Sequence, residues 1–171
     1  CMELNCFYSK NNIDKIKKKI NSITNKKPNL TIEMYIGLPG AGKDTEIKRS
    51  LGCNLDSRNI SIICRDDIRV ELGFCKEGEK YLGNDVEENK VTEIFISRLK
   101  EAAKNGKTII LNNMNNRRNY RDAYKQILED YNVCWKYIYV EASELNKNIE
   151  RRKGQIHELA FRKMVERFEF P

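Results

Sequence analysis

The chain has 171 residues, 40% of them hydrophobic and 33% charged, with a formal net charge of +7. That composition suits one globular domain with a real core and excludes a disordered chain. No apolar run approaches the length of a membrane span and no signal-peptide pattern appears, so a cytoplasmic protein without a membrane partner is expected.

In chain order, residues 1–26 read as an N-terminal extension. Ile13, Ile16, Ile20 and Ile23 recur there at helical spacing with lysines on the other faces, predicting an amphipathic helix. "NKKPN" ends it and residues 30–36 read as a first strand. "GLPGAGKDT" follows, then a helix at "EIKRSL". A second strand at residues 60–64 runs straight into "RDDIR", and "KEGEKYLGND" reads as a polar loop. A long helix is predicted over residues 86–104, with Val91, Phe95, Leu99 and Ala102 on one face and Gly106 as its stop. "KTIILNN" is a third strand, "RRNYRDAYKQILEDY" a helix and "VCWKYIYVEA" a fourth strand. "SELNKNIERRK" is a helix capped by Ser143, interrupted at Gly154, and "QIHELAFRKMVERF" is the last helix. Strands alternate with helices. The reading is therefore a single α/β domain over residues 1–171, a parallel sheet of about four strands flanked by helices.

The segment from Gly37 to Lys43 fits G-x-x-x-x-G-K, a phosphate-binding loop standing after a strand and before a helix. Glycines let the backbone turn so that N–H groups face phosphate oxygens, the following helix adds its dipole, and Lys43 supplies a cation. Gly37, Leu38, Pro39, Gly40, Ala41, Gly42, Lys43, Asp44 and Thr45 are the predicted nucleotide contacts. Asp44 departs from the usual hydroxyl residue after the lysine, and the hydroxyl comes one place later at Thr45. These two are the candidate magnesium contacts. The implied cofactors are ATP and Mg2+.

"RDDIR" stands at the C-terminal end of the second strand, where ligands bind in such sheets. Asp66 and Arg69, three residues apart, share a helical face. One could take the proton of a hydroxyl acceptor and the other grip an acceptor phosphate. The competing reading is an N-capping aspartate with a local ion pair, and spacing alone weighs the two evenly.

"GLPGAGK" followed by a strand and "RDDIR" resembles the polynucleotide 5′-hydroxyl kinases, of bacteriophage and of animal repair enzymes. The likeness runs from about residue 30 to the end. It takes in "LNNMNNRRNYR" after the third strand, the basic lid "IERRKG" and the final "FEFP". The resemblance implies a P-loop kinase fold with a short basic lid, and transfer of the ATP γ-phosphate to the 5′-hydroxyl of DNA or RNA ends. It implies Asp66 as general base, Arg69 on the phosphate beside the hydroxyl, and Lys43 on the donor phosphates. Arg152 or its neighbour Arg151 would act from the lid on the transferring group. Asn113 stands at the family's aspartate and Asn115 at its asparagine two places on, both on the substrate side.

Two rival functions stand beside this one. A small-molecule, nucleoside or nucleotide kinase fits "GAGKDT", and a nucleotide-binding regulator without turnover fits the departures at Asp44 and Asn113. The six cysteines show no zinc or redox spacing and read as reduced. His157 and Trp135 read as packing residues rather than catalyst or base platform. For "NNMNNRRNYR", contact with a polynucleotide backbone and a solvated cap are equal alternatives.

Overall fold

The structure is a computed structural model that describes residues 27–52, 59–79, 81–142, 144–152 and 156–171. The expected N-terminal helix, the Ser143 cap and Gly154 lie outside the described residues. Four strands, β1 (Lys27–Ile36), β2 (Ile60–Ile63), β3 (Thr108–Asn112) and β4 (Tyr131–Tyr139), form one sheet in the order β2-β3-β1-β4. Every pairing is parallel, with Met34 opposite both Leu111 and Tyr137. The helices are α1 (Lys43–Leu51), α2 (Arg65–Glu71), α3 (Asp85–Lys104), α4 (Arg118–Ile127), α5 (Leu145–Arg151) and α6 (Glu158–Glu166). This is the doubly covered parallel sheet that the alternation of strands and helices predicts.

The two-residue period of β1 and β3 divides the core. Leu30, Ile32, Met34, Ile36, Ile109 and Leu111 face α3, where Val91, Phe95 and Leu99 pack on them with Ile68 of α2. Tyr35 and Ile110 face the other way, onto Ile47 and Leu51 of α1. The α3 stripe is the one its helical spacing predicts. Phe95 is wholly buried and its ring centroid stands 5.5 Å from that of Tyr124, so Phe95→Ala is worth ~3–5 kcal/mol. Asn84 caps α3, accepting from Val86 N and Glu87 N. Gly106 follows its end with a left-handed φ of 66°.

Some boundaries move. The helix expected through residue 131 ends at Ile127, because Leu128 is buried and its carbonyl accepts from Tyr131 N at 3.0 Å. β4 therefore starts two residues earlier than its apolar run and stops at Tyr139. Trp135 packs against the main core. His157 is neither core nor loose surface: its Nδ1 accepts from Leu159 N and caps α6.

The C-terminal "FEFP" is fastened to the start of α4. Arg121, only 3% exposed, donates to Asn115 O, Glu169 O and Phe170 O at 3.0, 2.9 and 3.1 Å. Phe168 and Phe170 meet Tyr139 at ring-centroid distances of 5.7 and 5.2 Å. No helix among the described residues is long and apolar enough to cross a membrane.

Candidate active site

The site begins at the turn from β1 into α1. Gly42 caps α1 at φ 95°, a left-handed conformation that favours glycine, and no side chain caps the helix. The first N–H groups of α1 thus have no capping side chain, and with the helix dipole they form an anion cradle. At the loop entry, a Cβ on Gly37 would stand 2.7 Å from Val140 O, so any larger residue would force the loop off the end of the sheet.

Lys43 folds back on this loop, donating from Nζ to Gly37 O at 2.8 Å and Leu38 O at 3.0 Å. Burial, opposed by Asp44 and Asp66 and aided by Arg152, pulls its pKa down to about 8. The ammonium is short of negative charge, which phosphate oxygens would supply.

The end of α5 reaches the same loop. Arg151 Nη1 donates to Gly40 O at 3.3 Å. A Cβ on Gly40 would lie 3.5 Å from Arg152 Cγ and 3.8 Å from its Nε. Both arginines come from the C-terminal end of α5. Asn148 of that helix is buried, with no partner for Nδ2 among the described residues.

Asp44 is not idle in the first turn of α1. Its Oδ1 accepts from Asn112 Nδ2, at the end of β3, at 2.6 Å. Thr45 beside it is exposed.

At the C-terminal end of β2, α2 starts after a single residue, and Asn113 pins that start. Its Oδ1 accepts from Arg65 N at 2.9 Å, a bond that either an amide or a carboxylate can make. Asp66 then projects into solvent with 83% of its side chain exposed, bonded to Arg69 Nη1. The rest of the Arg69 fork belongs to a residue the sequence reading did not single out. Glu88 of α3 accepts from Arg69 Nε at 2.8 Å and from Nη2 at 3.0 Å, and also from Arg65 Nη2 at 2.9 Å. Arg69, then Arg65, hold the Glu88 carboxyl down to about 2 against its partial burial. The Tyr81 ring lies 4.9 Å from the Arg69 guanidinium carbon.

The segment after β3 divides. Asn115 is buried at a left-handed φ of 47°, and its Nδ2 donates to Tyr35 O at 2.8 Å and Leu111 O at 3.1 Å. Its side chain is spent on the ends of β1 and β3 rather than turned to an open mouth. Asn116 is buried too, and Glu169 N donates to its carbonyl. Arg118 alone of the trio Arg117, Arg118 and Arg121 is fully at the surface.

Among the described residues no group of three or more His, Cys, Asp or Glu is arranged to hold a metal. Burial, then the charges of Asp66 and Asp44, raise the Asp67 carboxyl. Magnesium commonly takes one or two carboxylates and completes its shell with phosphates and water. Asp44 and Thr45, directly after the loop lysine in the first turn of α1, fit a magnesium ion that arrives with a nucleotide.

A family model described as AAA domain matches residues 32–171. No curated protein matches the chain. Among solved structures, a chain of the Pnkp1/Rnl/Hen1 RNA repair complex is 21% identical with a TM-score of 0.63, over 85% of this chain and 46% of that one. A second structure of the Pnkp1/Rnl/Hen1 complex gives 20% identity and a TM-score of 0.56, over 74% and 39%. This chain therefore spans less than half the length of either. The Mycobacterium tuberculosis APS kinase CysC, in complex with AMPPNP and APS, gives 12% identity and a TM-score of 0.56 over 85% of both chains. These likenesses share a fold, a P-loop kinase-type sheet with flanking helices. With the family model running from β1 to the last residue, the chain belongs to the AAA domain family.

Proposed function

We propose that this domain is a polynucleotide 5′-hydroxyl kinase, transferring the γ-phosphate of ATP to the 5′ end of DNA or RNA. The observation that carries the reading is Asp66: an exposed carboxylate in the first turn of α2, at the same C-terminal edge of the parallel sheet as the phosphate loop, and steadied by Arg69. Its exposure leaves room for a large acceptor.

Each residue has a part. The glycine loop, Lys43 and the start of α1 hold the donor phosphates. Asp66 orients the acceptor hydroxyl and takes its proton as the new oxygen–phosphorus bond forms and the bond to the ADP leaving group breaks. Arg69, fixed along two nitrogens by Glu88, presents Nη1 to the phosphate next to that hydroxyl. Arg151 and Arg152 neutralise charge on the transferring group from the lid. Asp44 and Thr45 would hold a magnesium ion arriving with the nucleotide, and it would add charge neutralisation at the outer phosphates. Asn113 and Asn115 support the acceptor side through the backbone they hold.

A small-molecule kinase is the second reading, favoured by the fold match to APS kinase over most of both chains. Comparing a 3′-phosphorylated nucleoside with the bare nucleoside as acceptors separates the two. A charge-assisted contact from Arg69 predicts that the 3′-phosphate improves kcat/KM by ~10-fold or more. Equal use of both acceptors would move the assignment to a small alcohol.

A further inference from the structure

P-loop enzymes generally divide magnesium binding between a hydroxyl just after the loop lysine and an aspartate elsewhere in the fold. Here the residue after Lys43 is a carboxylate, Asp44, and the residue that reaches it from the end of β3 is an amide, Asn112. The two are hydrogen-bonded at 2.6 Å although 68 residues separate them in the chain.

We infer that the metal carboxylate of this site is carried by the phosphate loop rather than by the sheet: Asp44 is the magnesium-facing carboxylate and Asn112 is its positioning residue. The inference rests on the nucleotide-binding half of the proposed function and is independent of the acceptor.

The hydrogen bond gives each residue a defined task. An amide at position 112 donates, so it can hold a carboxylate; an aspartate there would repel Asp44. The bond engages Oδ1 of Asp44, and an ionised carboxylate has a second oxygen for a cation. Metal ligands commonly need such an outer partner to fix their orientation. Without a cation, Asp44 beside a triphosphate is repulsive, so this arrangement makes nucleotide binding depend on magnesium more steeply than a hydroxyl would.

The test is calorimetric titration of ATP, without acceptor, in excess magnesium and in EDTA. It uses the wild type, Asp44→Asn, Asn112→Ala and the exchange variant Asp44→Asn/Asn112→Asp. In the wild type magnesium should tighten ATP binding by ~10-fold or more, and Asn112→Ala should forfeit most of that gain. Asp44→Asn should abolish the gain yet bind ATP in EDTA at least as tightly as the wild type. A merely structural role would instead weaken binding in both conditions. The exchange variant places the carboxylate on the strand, keeps an amide–carboxylate pair, and should recover the magnesium response.

A wild-type gain retained by Asp44→Asn, an exchange variant that stays flat, or a wild type indifferent to magnesium would each overturn the inference. A wild type that binds no ATP would overturn it together with the kinase reading. A magnesium response as described in a protein that phosphorylates no 5′ end would refute only the acceptor assignment.

Discussion

Glu88 of α3 holds Arg69 of α2 along two parallel hydrogen bonds, Nε to Oε1 at 2.8 Å and Nη2 to Oε2 at 3.0 Å. The same carboxylate takes Arg65. One acid thereby fixes both arginines that flank Asp66. Glu88→Ala should cost ~1–2 kcal/mol, discounted for its partial exposure. The Glu88 carboxyl sits at about 2 in the folded protein, below its unfolded value. Its stabilisation is therefore complete above the ordinary glutamate range and lost as pH falls through about 2. Urea titrations from neutral to acid pH should show the variant and wild type converging as pH drops. A gap that stays constant down to acid pH would contradict the ion-pair account.

Lys43→Ala should remove most ATP affinity while the fold persists, because it deletes the cation that folds back on Gly37 and Leu38. The free lysine has a pKa of about 8, and phosphates should raise it. Above that pH the bound state carries a proton the free protein lacks, so affinity should fall as pH rises and binding should take up a proton. Calorimetry in buffers of different ionisation heat reads that uptake directly. A wild-type affinity flat from about pH 7 to about pH 9 would contradict this.

Asp66→Asn keeps the shape of the side chain and loses the proposed base. Phosphoryl transfer should fall by ~10²-fold or more while ATP affinity stays. Near-full turnover in the variant would remove Asp66 from the reaction.

Arg121 is the tail's anchor. Arg121→Met should leave the carbonyls of Asn115, Glu169 and Phe170 without their donor, at a cost of ~2–3 kcal/mol. Thermal unfolding of the variant checks this, and an unchanged midpoint would mean the tail is held by its aromatic rings and the backbone bond of Glu169 instead.

How far these features are legible in the sequence depends on how local they are. The strands and α3 follow from apolar periods of two and 3.6 within one segment, and the phosphate loop from glycines within seven residues. The Arg69–Glu88 and Asp44–Asn112 bonds join residues 19 and 68 apart, and no local spacing records them. The stretch "NNMNNRRNYR" was ambiguous for a different reason. Polarity suggests exposure, yet Asn115 and Arg121 are buried because their hydrogen bonds serve the carbonyls of β1, β3 and the tail. Single residues such as His157 carry no signal of a cap until the helix start is known.

The most direct measurement of the central claim is transfer of label from γ-labelled ATP, with magnesium, to a panel of acceptors: 5′-hydroxyl DNA and RNA oligonucleotides, nucleosides, nucleoside monophosphates and adenosine 5′-phosphosulfate. The polynucleotide kinase account predicts label on the oligonucleotide 5′ ends, with Asp66→Asn inactive and free nucleosides poor. Label on a small acceptor with none on the oligonucleotides would contradict it.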